Sequence, residues 1–141
     1  MKVVVIGAGP CGIMSSIEIK KNNPEYQVIL LEKDSRSIGS RIKVSGNGRC
    51  NLGNLDTNIS NFYSRSNLDK FKDILASNNY LEFLKEIGVL IKEDDKRLYP
   101  NTNQAITVCK AFERFLEYKN VNIKYNYEVT VSQEIYDAIT K

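Results

Sequence analysis

Three glycines and one acid within the first 32 residues have the types and spacing to hold a phosphate-bearing ligand. Gly7-x-Gly9-x-x-Gly12 follows directly on the β-branched run Lys2–Ile6 and opens a segment of helical periodicity. In that context the spacing acquires a mechanism. Gly7 suits a tight turn, Gly9 puts no side chain between the backbone and an approaching pyrophosphate, and Gly12 lets a helix lie close on a strand. Pro10 and Cys11 stand between the second and third glycines, and Cys11 is small enough to fit the turn. The helix start would offer N–H groups and a partial positive charge to phosphate. Glu32 lies 20 residues beyond Gly12, with Lys33 after it, at the end of a second apolar run. An acid there accepts both ribose hydroxyls and repels a 2′-phosphate. The chemistry this predicts is dinucleotide binding, with NAD and FAD as open alternatives.

The elements that must position these residues are legible in outline. Lys2–Ile6 reads as a strand buried on both faces of a parallel sheet. Ile13, Met14, Ile17 and Ile19 give an amphipathic helix that ends at Lys20-Lys21 and the breaker Asn22-Asn23-Pro24. Tyr26–Leu31 reads as a second buried strand, completing a βαβ unit. From Ser35 to about Tyr63 the composition shifts to Ser, Gly and Asn, with one short apolar alternation at Ile42–Val44. A loop of that length is functional or disordered. Leu68, Phe71, Ile74 and Leu75 have helical spacing behind a capping pair, Ser66 and Asp69. A further helix is expected over Tyr80–Ile87, stopped by Gly88. Val89–Ile91 and Arg97–Tyr99 suggest a small hairpin, with Arg97, Tyr99 and Pro100 either on the surface or in a turn beside the ligand. Thr102 or Asn103 would cap a helix burying Ile106, Cys109, Phe112, Phe115 and Leu116, and Val121–Val129 would be a third strand. The alternation predicts an α/β fold with a parallel sheet. No internal repeat and no interdomain linker breaks the chain.

Composition narrows the chemistry further. The 141 residues are 42% hydrophobic and 26% charged, the profile of a globular domain able to bury a core. Net charge is +3 without a basic stripe, which argues against nucleic acid. No histidine is present, so His-dependent triads and His-ligated metal sites are excluded. Cys11, Cys50 and Cys109 form no C-x-x-C pair and read as reduced thiols, with no metal expected. No apolar run reaches the length of a membrane span, and Met1–Ile6 is too short for a leader, so a cytoplasmic location is expected. The fifteen asparagines and the excess of Lys over Arg read as codon bias.

The segment Gly39-Ser40-Arg41-Ile42-Lys43-Val44-Ser45-Gly46-Asn47-Gly48-Arg49-Cys50-Asn51 decides between the alternatives. It resembles the S-G-x-G-R-C-N signature of bacterial FAD-dependent oxidoreductases of the aminoacetone oxidase-like or bile-acid reductase-like kind. Glu32-Lys33, Phe83–Val89 and Arg97-Leu98-Tyr99-Pro100 resemble further blocks of that family, Ala105 and Val108 fit the helix that follows, and the likeness covers about residues 2–130. Gly53 stands where the family has threonine and Lys96 where it has glycine. Gly46 and Gly48 permit positive φ, so backbone N–H groups can face one anion or ring edge. Arg41 and Arg49 can neutralise a pyrophosphate, and Ser45 and Asn51 suit a ribityl chain or ring. On composition alone this would be a solvated loop; the resemblance reverses that reading. Cys50 has no partner thiol for a relay and reads as a packing residue beside the cofactor. The resemblance also implies that the backbone at Val129 pairs with the adenine edge.

The resemblance thus implies a Rossmann-type FAD-binding fold. Residues 1–141 would be the N-terminal portion of a FAD-binding domain in enzymes roughly three times longer, without their substrate domain and later flavin-pocket segments. Hydride transfer would run through the isoalloxazine, so no catalytic acid or base is assigned. A nicotinamide cofactor would serve as electron donor in the full-length enzyme. The alternatives are a non-catalytic dinucleotide-binding fragment needing a partner chain, or an NAD-binding dehydrogenase domain. A sheet ending at its third strand would expose an edge through which copies associate. The tail Ser132–Lys141 leaves the family register.

Overall fold

A computed structural model of the chain describes residues 1–35, 37–65, 68, 71–72 and 80–130. Two compact units form, one from Met1–Arg41 with Glu113–Lys141 and the other from Ile42–Phe112.

In the first unit β1 (Lys2–Ile6), α1 (Pro10–Asn22) and β2 (Gln27–Leu31) build the expected βαβ unit, and β6 (Asn122–Lys124) joins β2. The sheet is parallel in the order β1-β2-β6, with Val3 beside Val28 and Val5 beside Leu30. Val28, Leu30, Ile13 and Ile17 are buried. Two basic residues, Lys20 and Lys21, close the last turn of α1, and Lys20 Nζ donates to the carbonyls of Pro24 and Tyr26. That arrangement fixes the tight return into β2 and suits the negative end of the helix.

Two expectations are corrected here. β1 is not buried on both faces: Val4 and Ile6 are 50% and 62% exposed, because α1 lies on the Val5 side and no described helix of this unit covers the other. The third strand stops at Lys124 rather than Val129, because Asn126 turns the chain with a φ of 60°. The tail Ser132–Lys141 lies outside the described residues.

The second unit holds an antiparallel sheet, β3 (Gly53–Asn54), β5 (Arg97–Pro100) and β4 (Ile91–Asp94) in that order. The apolar alternation at Ile42–Val44 belongs to the short helix α2 (Ser40–Val44), with Ile42 buried. α3 (Tyr80–Glu86) ends as expected at Gly88, whose N–H bonds to the Lys85 carbonyl while Val89 N–H reaches Leu84. This pair of bonds is a Schellman stop. Leu98, Tyr99 and Pro100 are buried, so the hairpin is part of the core of this unit and not a surface feature. The helix foreseen around Leu68 and Phe71 falls mostly on positions outside the described residues, Ser66, Asp69, Ile74 and Leu75 among them.

Helix α4 spans Ala105–Tyr118. Thr102, rather than Asn103, serves its start: its hydroxyl accepts from Gln104 N–H and pairs with Thr107. Cys109, Phe112 and Leu116 are buried as expected, but Ile106 is 40% exposed.

The β4–β5 turn explains one departure from the family pattern. Asp95 and Lys96 both have positive φ, 49° and 61°, the geometry of a two-residue hairpin turn that favours glycine second. Lys96→Gly is therefore expected to stabilise the chain by about 0.5 kcal/mol, the exposed Lys96–Asp56 pair it removes being worth little. A urea titration reads this directly, and an unchanged or lower midpoint contradicts it.

Candidate dinucleotide site

The fingerprint turn and the end of β2 form one structure. Gly7 has a φ of 86°, and its N–H donates to the Leu31 carbonyl. Gly9 precedes α1 in extended geometry and Pro10 occupies the first helical turn, where its missing N–H is no loss. The next N–H groups, of Cys11 and Gly12, are those a helix start leaves without an intrahelical acceptor. Cys11 itself is exposed. A Cβ on Gly12 would lie 1.9 Å from the Gly7 carbonyl oxygen and 3.5 Å from Val5 Cγ1, so only glycine lets α1 seat this closely. At Gly9 a Cβ would meet nothing within 4 Å. Gly12 serves the protein's own packing, whereas Gly9 leaves room for something else.

Glu32 is buried although it ends a strand. One carboxylate oxygen accepts from Ala8 N–H at 2.8 Å and the other from Asp34 N–H at 3.0 Å. The acid thus ties β2 to the glycine turn. A carboxylate has about four acceptor positions, so two remain for hydroxyl donors. Gly39 N–H donates to the Ala8 carbonyl at 2.8 Å, which brings Ser40 and Arg41 to the same turn. Beyond β6, Tyr127 N–H donates to the Glu32 carbonyl at 2.9 Å and Asn126 N–H to that of Asp34.

These connections frame a cleft of about 350 Å³ lined by Ile6, Gly7, Gly9, Glu32, Lys33, Arg41, Tyr127 and Val129 among others. A neighbouring cleft of about 610 Å³ shares Glu32, Lys33, Ser40 and Glu128 and adds Asp34 and Asn126. Of the residues singled out in the sequence, Gly7, Gly9, Glu32, Lys33, Arg41 and Val129 therefore come together, with Lys33 and Arg41 both exposed cations there. Val129 does so from beyond the third strand, not from its end. Ser40, Tyr127 and Glu128 were missed. For Tyr127 and Glu128 the signal was Asn126, a residue type that tolerates the left-handed turn that swings this segment over the end of β2.

The glycine-rich block belongs to the second unit and has its own internal order. Gly46 and Gly48 have positive φ as expected, and Asn47 and Cys50 share it. A Cβ on Gly46 would meet Asn51 N at 2.7 Å and the Tyr99 ring at 3.3 Å. Two of the N–H groups, of Arg49 and Cys50, close the loop on the carbonyls of Gly46 and Ser45. Ser45 Oγ donates to the Ile42 carbonyl, and Asn51 Oδ1 accepts from Gly53 N–H. Arg49 pairs with Asp94 at 2.9 Å and lies over the Tyr99 ring at 4.1 Å, which anchors the block to the hairpin. At Gly53, the other family departure, the Tyr80 hydroxyl fills the space a Cβ would take.

Two titrating groups are displaced. Burial pushes the Cys50 thiol above its ordinary range, with a Ser45 hydrogen bond offsetting part of the effect. Burial, then the Glu113 carboxylate that accepts its hydroxyl, holds the Tyr125 phenol well above the usual range. Cys50 and Cys109 are buried and Cys11 exposed. One thiol is therefore expected to react fast with a disulfide reagent at pH 8 in the native chain and three after denaturation. Cys50 reacting as fast as Cys11 contradicts the placement.

Residues 1–140 match the HI0933-like protein Rossmann domain. The chain belongs to this family. This HI0933-like domain is 31% identical over 125 residues to the 3-dehydro-bile acid delta(4,6)-reductase of Clostridium scindens. The alignment covers 86% of the chain and 30% of the reductase, so the chain spans under a third of that relative. The crystal structure of Thermovibrio ammonificans THI4 matches 88% of the chain with a TM-score of 0.58 at 15% identity, covering 38% of that protein. That likeness is one of fold. Together they show a Rossmann-type dinucleotide-binding domain with a parallel sheet. No helix among the described residues is long and apolar enough to cross a membrane.

Proposed function

We propose that this HI0933-like domain is the FAD-binding portion of a flavin-dependent oxidoreductase. The single observation that carries the reading is Glu32, a buried carboxylate fastened to the glycine turn through Ala8 N–H and lining the same cleft as Gly7 and Gly9. The fit is that of a dinucleotide: the space beside Gly9 and the N–H groups of Cys11 and Gly12 suit a pyrophosphate, Arg41 its charge, and the spare acceptor positions of Glu32 a ribose. FAD rather than NAD is favoured by likeness to a reductase and by the Ser45–Asn51 block.

Bound flavin would supply hydride transfer; the chain's residues bind and orient it. Residues 1–141 act as the N-terminal portion of the FAD domain, in the cytoplasm, with a nicotinamide cofactor as donor to the complete enzyme. A second reading has the domain bind the dinucleotide without turnover, beside a partner chain. The apolar side chains Val4 and Ile6, on a strand that is an edge among the described residues, support self-association, which sedimentation at rising concentration tests.

The test of the main reading compares FAD, FMN and NAD by fluorescence titration of wild type and Glu32→Ala. FAD is expected to bind most tightly and to lose at least about tenfold in the variant. Preference for NAD, or FMN binding as well as FAD, would overturn it.

A further inference from the structure

We infer that Tyr127 is the platform on which the adenine of the bound dinucleotide stacks, an inference resting on the reading of the cleft as a FAD site. The starting observation is an exposed apolar group in a polar setting. Ile6, Tyr127 and Val129 are 62%, 51% and 38% exposed, and all three line the cleft that holds Gly7, Gly9 and Glu32. Single exposed apolar residues are ordinary; three around one cleft, one of them aromatic, make a surface for a flat apolar ligand face.

The position of Tyr127 selects which part of the ligand that is. Its N–H bonds at 2.9 Å to the carbonyl of Glu32, the residue whose carboxylate addresses the ribose. The base hangs from that same sugar, one bond from its ring. An aromatic side chain fixed beside Glu32 is therefore within reach of the base, whereas the phosphates belong at Gly9 on the other side of the carboxylate. The left-handed turn at Asn126, φ 60°, and its N–H bond to the Asp34 carbonyl hold the backbone of Tyr127 in this place. Every base presents a π face, and a tyrosine is stiff enough to meet it at small entropic cost. The role is one of positioning: Tyr127 fixes the adenosine end and touches no reacting atom.

The experiment measures ADP, FAD and FMN binding by calorimetry to wild type, Tyr127→Ala, Tyr127→Phe and Glu32→Ala. Tyr127→Ala is expected to weaken ADP and FAD alike by about tenfold, with Tyr127→Phe within twofold of wild type. A merely structural role would leave Phe and Ala variants equal once both are shown folded by circular dichroism. Equal ADP affinity in wild type and Tyr127→Ala, with Glu32→Ala still weakened, overturns the inference and leaves the FAD site standing. Folded wild type that takes up neither ADP nor FAD overturns both.

Discussion

Replacing Gly9 by valine is expected to lower FAD affinity at least about 100-fold while changing stability by less than about 0.5 kcal/mol. The reason lies in the geometry of the turn. Gly9 has a φ of −75° and ψ of 178°, a conformation open to any residue, and a Cβ there contacts nothing within 4 Å. The folded chain has no need of glycine at this point. A phosphate group does, because it must come within hydrogen-bonding distance of the α1 N-terminus, and a branched side chain would stand in its path. Titration with FAD beside a urea denaturation curve separates the two effects. Unimpaired binding by Gly9→Val would mean that the pyrophosphate does not lie against this turn.

Gly12→Ala is expected to show the converse, a loss of about 3 kcal/mol in stability whatever the ligand. The added carbon would sit 1.9 Å from a backbone oxygen of Gly7, an atom that cannot rotate aside. Relief requires α1 to lift from β1, and that opens the layer formed by Val5, Ile13, Ile17, Val28 and Leu30. Total stabilities of domains this size run to about 5–15 kcal/mol, so the variant should be visibly impaired. A urea midpoint equal to wild type would show that the helix is not seated as described. Two glycines three residues apart thus separate a ligand contact from a packing contact.

Much of this was legible locally. The β-branched run, the glycine spacing and the basic helix end are all short-range signals, and β1, α1 and β2 follow them to within one or two residues. What was misread depended on partners distant in sequence or on backbone sign. Val4 and Ile6 belong to an apolar run that says nothing of how many layers cover the sheet. Arg49 was weighed only against phosphate, and its pairing with Asp94, 45 residues on, could not be read from the local sequence. The abundance of asparagine read as codon bias, yet Asn47, Asn103, Asn120 and Asn126 account for four of the seven non-glycine residues with positive φ among the described residues. Asparagine tolerates that region because its short side chain can bond locally. Weighing Asn126 in this way would have ended the third strand early and placed Tyr127 and Glu128 at the cleft.

The central claim is that Glu32 and the glycine turn make a FAD site in these 141 residues. The most direct test is an equilibrium titration of the purified, folded chain with FAD, following visible absorbance to saturation. One FAD per chain, with binding lost in Gly9→Val but not in a surface control such as Lys96→Gly, is the predicted result. A chain with native circular dichroism that leaves FAD free at every concentration would contradict it.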